Sequence, residues 1–430
     1  MKYIIYTLGC KVNQYETQAM ETILNSRGHE ACTEGEIADL VIVNTCAVTA
    51  EAGRKSRQAI NRLKEENPDA IVAVSGCYSQ LSPDTAQKLG AHVVFGSGDH
   101  DKLVAAAEKA FETGEVTREI DNPLQRRVFE ELPAGAAEGR TRALLKIQDG
   151  CVNFCTYCII PYTRGRLRSL PVKAAAEKAA ELEKEGFKEL VLTGIEIASY
   201  GVDLPGKPDL ADVICEIAKA APKLRLRLGS IEPSVITEDF CRRLAAAGTV
   251  CRHFHLSLQS GCDTTLKNMN RKYDTATFFE KTELLRKYFP NCGLTCDTIV
   301  GFPGETEQHQ QETLEFLKKV GFADVHIFPY SRRPGTPADK MPNQIDRATK
   351  AKRSKEARAV GAETRKAFLQ AQLGKTLPVL FETKEGEFWQ GHSDNYVLVR
   401  CKGEDLRGVV KNIKIGLVSG EILVGTPIDE

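Results

Sequence analysis

Residues 143–158 read Ala143-Leu-Leu-Lys-Ile147-Gln-Asp-Gly150-Cys151-Val-Asn-Phe-Cys155-Thr-Tyr-Cys158. An apolar run of strand character ends at a glycine, and three cysteines follow with C-x3-C-x2-C spacing. Thiolates this close can converge on one iron–sulfur cluster. A cubane holds four irons, so three cysteines leave one iron open. An open iron suits chemistry, whereas a plain electron carrier is closed by a fourth cysteine.

Downstream of this run, the pattern repeats strand and helix. Apolar strands are expected at Glu189–Leu192, Leu224–Leu228, His253–Leu258, Leu294–Val300 and Asp324–Pro329. Amphipathic helices separate them, such as Val172–Glu185 and Thr306–Val320. With Ala143–Ile147 these make six β/α units, too few for a closed eight-stranded barrel. An open, partial (β/α)6 barrel is expected over residues 140–368, including a basic helical extension at its end. From Lys340 to Lys366 that extension carries nine Lys/Arg against three acids, a local net of +6.

Upstream, residues 1–135 alternate the same way around Tyr3–Thr7, Leu40–Asn44 and Ile71–Ser75, with a helix over Gln58–Glu66. This predicts a doubly wound, parallel α/β domain. Cys10, Cys46 and Cys77 each lie just past one of those strands. Strand carboxyl ends share one edge of a parallel sheet, where ligands bind. Three cysteines distant in sequence are therefore expected to be neighbours, again without a fourth. The other eight cysteines lack this arrangement and read as core or incidental. Residues 122–140, with Leu132-Pro-Ala-Gly-Ala-Ala-Glu-Gly139, read as a linker. Residues 370–430 switch to short β-runs at Leu377–Glu382, Tyr396–Arg400 and Glu421–Val424, which predicts a small all-β barrel. The whole is an α/β chain of three parts.

Composition bounds the function. The 430 residues carry 58 basic and 58 acidic side chains, so bulk charge calls for no polyanion and any nucleic-acid site is a local patch. The opening apolar run is too short for a signal peptide, and no segment approaches a membrane span. A cytoplasmic protein without a membrane partner is expected, in which 14 cysteines stay reduced.

In a β/α barrel the active site lies at the strand carboxyl ends. Polar or glycine turns follow each expected barrel strand there: Thr193-Gly194, Ser230-Ile-Glu232, Gln259-Ser-Gly261, Gly301-Phe-Pro-Gly304-Glu305 and Tyr330-Ser-Arg-Arg-Pro-Gly335. Thr193, Gly194, Ser230, Glu232, Gln259, Gly301 and Gly304 are the candidate cofactor contacts.

C-x3-C-x2-C after a first barrel strand resembles the radical S-adenosylmethionine enzymes, and Ile299-Val-Gly301-Phe-Pro-Gly304-Glu305 resembles their adenine-contacting motif. Cys10, Cys46 and Cys77 with a terminal β-module resemble the methylthiotransferases of that family, and the module resembles a TRAM domain that binds RNA. The resemblance implies two [4Fe-4S] clusters and S-adenosyl-L-methionine. Cys151, Cys155 and Cys158 are implied ligands of the cluster that binds S-adenosylmethionine. Cys10, Cys46 and Cys77 are implied ligands of an auxiliary cluster that presents the sulfur to be transferred. Leu8-Gly-Cys10-Lys-Val-Asn13-Gln-Tyr-Glu16 and Arg227-Leu-Gly-Ser230-Ile-Glu232-Pro resemble the branch acting on threonylcarbamoyladenosine at position 37 of tRNA, where C2 receives a methylthio group. The alternatives are an isopentenyladenosine enzyme, a ribosomal-protein aspartate enzyme, or a non-enzymatic iron–sulfur RNA-binding protein. Implied partners are the tRNA anticodon loop, an external electron donor and a sulfur donor of unknown identity. Arg164, Arg166 and Arg168 are expected to contact phosphate. Two places depart from the family pattern: Glu196 stands where His is expected, and Val152-Asn153 where Asp-Arg is usual.

Overall fold

The computed structural model describes residues 1–134 and 141–428. Residues 135–140 of the expected linker lie outside them. The first unit is a six-stranded sheet with every pair parallel. Its central strands, Leu40–Thr45 and Ile71–Gly76, are almost wholly buried, as befits a parallel sheet covered on both faces. Leu40, Ile42 and Ala73 pack on one face and Val41, Val43, Val72 and Val74 on the other. Numbered along the chain, the strands lie in the order 2-1-3-4-5-6. The order reverses between Lys2–Thr7 and Leu40–Thr45, which opens a crevice at their carboxyl ends. Cys10 and Cys46 follow those two strands, and Cys77 follows the next, Ile71–Gly76.

The central unit has six parallel β/α repeats in two four-stranded sheets, which the short strands Arg168–Ser169, antiparallel, and Ser230–Ile231 complete. Ala143, Leu145 and Ile147 of the first strand, Arg142–Asp149, join Ala175, Ala179 and Leu182 of the Val172–Lys184 helix in the core. The alternate positions Arg142, Leu144 and Lys146 are thereby turned to the lumen side of that strand. The Lys11–Ser26 helix of the first unit packs there, since Tyr15 and Ala19 belong to the same core.

The last unit is a closed five-stranded barrel around Leu377, Val379, Phe381, Trp389, Val399 and Ile413. Two of its strands, Phe388–Ser393 and Val410–Ser419, do not read as apolar runs because polar residues alternate through them. Arg225 and Arg227 dock it on the central barrel. Arg225 donates to the carbonyls of Pro378 and His392 at 3.2 Å, and Arg227 to those of Ser393 and Asp394 at 3.1 Å.

The described part of the expected linker is packed rather than loose. Phe129 and Leu132 are apolar and buried, and the Tyr15 hydroxyl donates to the Leu132 carbonyl at 3.2 Å.

Candidate functional site

Cys10 is the N-cap of the Lys11–Ser26 helix, and Cys77 opens the Cys77–Leu81 helix. Helix N-termini favour a thiolate. Gly76, at φ +102°, makes the turn into Cys77, where a Cβ would stand 2.4 Å from the Thr45 carbonyl oxygen. Asn13 and Asn44 tie the sites together: Asn13 Nδ2 donates to Asn44 Oδ1 at 3.0 Å, and Asn44 Nδ2 returns a 3.0 Å bond to the Asn13 carbonyl. Cys10 is exposed to the space between these elements, while Cys46 and Cys77 are buried. Burial pushes the Cys46 thiol up to about 11, and the neighbouring Cys77 and Cys10 add to it. The Cys10 thiol, though its residue is open to this space, is raised too, because the surrounding elements displace much of the bulk water near its sulfur, against the pull of the Arg164 guanidinium.

The second trio starts from Gly150, whose φ of +74° and close approach to the Arg166 carbonyl (1.9 Å from an added Cβ) require a glycine. Cys155 is buried, and Cys151 and Cys158 are half-buried. Burial pushes the thiols of Cys151 and Cys158 up to about 12. Cys77 contributes to the rise at Cys158, so the two trios lie within electrostatic reach of each other.

Each trio has a buried arginine against one sulfur. Arg164 Nε donates to Cys77 Sγ at 3.4 Å, and Arg271 Nη1 to Cys155 Sγ at 3.2 Å. Arg271 is held by Glu232 at 3.0 Å and lies over the Tyr273 ring. Nothing in the sequence around Arg271 marks it, because the chain brings it to Cys155 from 116 residues away.

Arg164 corrects an expectation. It stands six positions after Cys158, yet it is fully buried and reaches into the first unit. Nη2 donates to Glu16 Oε2 at 2.9 Å and to Asn13 Oδ1 at 3.1 Å, and Nη1 pairs with Glu16 Oε1. Lys146 bridges Glu16 at 3.1 Å and Asp149 at 3.4 Å, and Arg168 binds Asp149 at 3.2 Å. Arg164 and Arg168 are therefore internal ion-pair partners and not phosphate contacts; Arg166 is exposed. Burial acts to raise the Glu16 pKa, but Arg164, Lys146 and His100 hold it below the usual carboxylate range. Asp149 is held far lower, with Lys146, Arg164 and Arg168 overcoming its burial.

The other candidate contacts lie on the same strand-end face. Thr193 is buried and Gly194 half-buried at the end of Glu189–Gly194. Ser230 Oγ meets Ser257 Oγ at 2.8 Å, and Gln259 takes a φ of +68°. Gly301 N–H donates to Glu305 Oε1 at 2.8 Å, and Gly304 N–H to the Asn343 carbonyl at 2.9 Å. Arg353 of the Arg347–Gln370 helix binds the Glu305 carbonyl and carboxylate at 3.0 and 2.9 Å, pinning that loop. Arg347, Lys350 and Arg358 of this helix line a cavity of about 820 Å³ with Phe328 and Tyr330, beside Thr49–Glu51.

Among the described residues no three Cys, His, Asp or Glu side chains already stand in metal-ligating geometry. The donor set fits iron–sulfur ligation by its chemistry: three thiols per site, soft donors, each site with a guanidinium to offset the charge of a thiolate-bound group. Cys151, Cys155 and Cys158 can hold one such group, and Cys10, Cys46 and Cys77 another.

Residues 145–317 match the radical SAM superfamily, and residues 2–96 match the uncharacterized protein family UPF0004. A Bacillus subtilis protein named threonylcarbamoyladenosine tRNA methylthiotransferase MtaB is 38% identical, over 95% of this chain and 92% of its own. An Alkaliphilus oremlandii protein named tRNA-2-methylthio-N(6)-dimethylallyladenosine synthase is 35% identical, over 96% of this chain and 90% of its own. The radical S-adenosylmethionine methyltransferase TsrM from Kitasatospora setae shares the fold, with a TM-score of 0.58 at 16% identity over 79% of this chain and 74% of that one.

We predict that Arg164→Met, which leaves Glu16 buried without its bidentate partner, costs about 3–5 kcal/mol of stability in chemical unfolding. A cost below about 1 kcal/mol would show that the pair is not a structural tie. The two atypical positions meet, with Asn153 Nδ2 3.5 Å from Glu196 Oε2. Burial, and then Glu232, push the Glu196 carboxyl up to about 7. Its folded pKa lies above its unfolded value, so its stabilising contribution is complete below the unfolded pKa and is lost as pH rises through about 7. Glu196→Gln in the metal-free protein should therefore flatten the fall in stability between about pH 4.5 and 7 and gain up to about 3 kcal/mol above that window. An unchanged pH profile removes Glu196 as its source.

Proposed function

The chain belongs to the radical SAM tRNA methylthiotransferases, and we propose that it places a methylthio group on C2 of N6-threonylcarbamoyladenosine at position 37 of tRNA. The observation that carries this reading is the contact between the two cysteine-bearing units, in which Arg164, six residues after Cys158, donates to the sulfur of Cys77. In this reading Cys151, Cys155 and Cys158 hold one [4Fe-4S] cluster and Cys10, Cys46 and Cys77 the other, with S-adenosylmethionine on the barrel's strand ends.

When bound, these groups supply electron transfer, radical removal of the unreactive C2 hydrogen, and the methylated sulfur. The protein's own residues prepare the site. Cysteines raised by burial are protonated when free, so ligation releases protons. Arg164 and Arg271 then face the negative charge so created. Glu232 fixes Arg271, and Arg353 fixes the Gly301–Glu305 turn. Removal of a hydrogen atom needs no general base, and none is assigned.

The RNA contact falls to the basic helix and its cavity. Phe328 is 44% exposed beside Arg347, Lys350 and Arg358, a pairing of aromatic face and cations suited to an unstacked base and its phosphates. The terminal barrel has seven Lys/Arg against nine Asp/Glu from Ala371 onward, so its part in RNA binding rests on shape. No described helix is long and apolar enough to cross a membrane.

Relatives named for the dimethylallyl nucleoside make that substrate the second reading. Mass spectrometry of tRNA nucleosides from a deletion strain should show loss of the 2-methylthio form of threonylcarbamoyladenosine and accumulation of its precursor; loss of the dimethylallyl product instead would transfer the assignment. Replacing Cys10, Cys46 and Cys77 together by Ala should leave reductive cleavage of S-adenosylmethionine intact and abolish methylthiolation. Methylthio product from that triple variant would break the division between the two sites.

A further inference from the structure

A charged cavity of about 500 Å³ lies where the start of the Lys11–Ser26 helix meets the central barrel strands and the rim of the terminal barrel. Its lining includes the cations Lys11, Arg142, Arg227 and Arg407, one carboxylate, Glu382, and the Tyr396 ring. Lys11 directly follows Cys10, and Gln14 lines the same cavity one turn along, so the start of the helix that Cys10 caps also forms one wall of the cavity.

Leaving Arg407 aside, the charges there do not balance. Arg142 and Glu382 neutralise each other at 2.8 Å. Arg227 grips Glu189 at 2.7 and 2.9 Å, and Arg225 pairs with the same carboxylate, so two guanidiniums share one negative charge. Arg227 is further fixed by the Ser393 and Asp394 carbonyls and lies 4.8 Å from the Tyr396 ring centre. The Lys11 side chain makes no hydrogen bond or ion pair among the described residues, yet it is exposed to this space. Lys11 shares this open cavity with Arg142 and Arg227, and an entering anion relieves the repulsion among these like charges. An apolar group entering the same cavity gains nothing from these cations.

We infer that this cavity selects the N6 substituent of the target adenosine, with the Lys11 ammonium receiving a carboxylate on that substituent. This rests on the proposed function. On the adenine ring C2 and C6 flank N1, so sulfur delivered to C2 from the Cys10 side brings the N6 group to the residues beside Cys10. A threonylcarbamoyl group carries a carboxylate, a hydroxyl and a urea, which suit a wall of cations, an amide side chain and a phenol. A dimethylallyl group carries none of these. Lys11 is thus a specificity residue, and Arg227 and Tyr396 position the wall behind it.

The test uses the cluster-loaded enzyme with S-adenosylmethionine, reductant and three anticodon stem-loop RNAs. These carry threonylcarbamoyladenosine, its methyl amide, or N6-dimethylallyladenosine. The wild type should turn over the free acid about tenfold or more better in kcat/KM than the amide, as expected for a hydrogen-bonded charge pair. Equilibrium binding of the same RNAs should follow that order without turnover. Lys11→Met should bring the acid-to-amide ratio near one, and Lys11→Arg should restore most of it. The ratio is internal to each preparation, so partial loss of the neighbouring cluster does not alter it. Equal use of acid and amide by the wild type, or full discrimination kept by Lys11→Met, overturns the inference. A wild type that modifies only the dimethylallyl RNA overturns the proposed function instead.

Discussion

The fully buried pair between Glu16 and Arg164 is the constraint on which the arrangement of this chain depends. Glu16 comes from the helix that begins after Cys10, and Arg164 from the short helix that follows Cys158. Neither charge tolerates burial alone. The pair satisfies both, and in doing so it fixes the first α/β unit against the open side of the partial barrel. Lys146 and Asp149 extend the tie into the first barrel strand, and His100 with Glu130 extends it into the first unit. One network thus sets the register of the two cysteine-bearing units, with Arg164 reaching one of the sulfurs directly.

A second arginine pair performs the same task at the other end of the barrel. Glu189 sits between Arg225 and Arg227, whose remaining donors go to backbone carbonyls of the terminal barrel. That docking places Tyr396 against Arg227 and stacks it on His253, with ring centres 4.5 Å apart. An acidic β-barrel is held to the core by buried cations, and the exposed basic surface lies instead on the Arg347–Gln370 helix. Even there the charges divide: Arg353 is internal, while Arg347, Lys350 and Arg358 face the cavity beside Phe328.

Much of this was legible in the sequence. Apolar runs such as Leu40–Asn44 and Leu294–Val300 fell within observed strands, because strands buried on both faces are apolar throughout. The cysteines announced themselves by spacing and by their place after strands. What escaped reading was long-range or alternating. Arg271 meets Cys155 only through the fold, and Arg164 looked like a surface cation because its partner Glu16 lies 148 residues earlier. The strands Phe388–Ser393 and Val410–Ser419 bury only alternate residues, so their sequence reads as polar. Phe129 and Leu132 sit in a stretch whose prolines and glycines suggest a linker, yet both are buried.

The central claim is that the two cysteine sites lie side by side, held there by Arg164. Pulsed electron paramagnetic resonance on the reduced, fully loaded protein tests it most directly. Two paramagnetic clusters side by side should show strong spin–spin coupling, and the coupling should weaken or broaden when Arg164→Met loosens the tie. Two magnetically independent signals in the wild type would contradict the account.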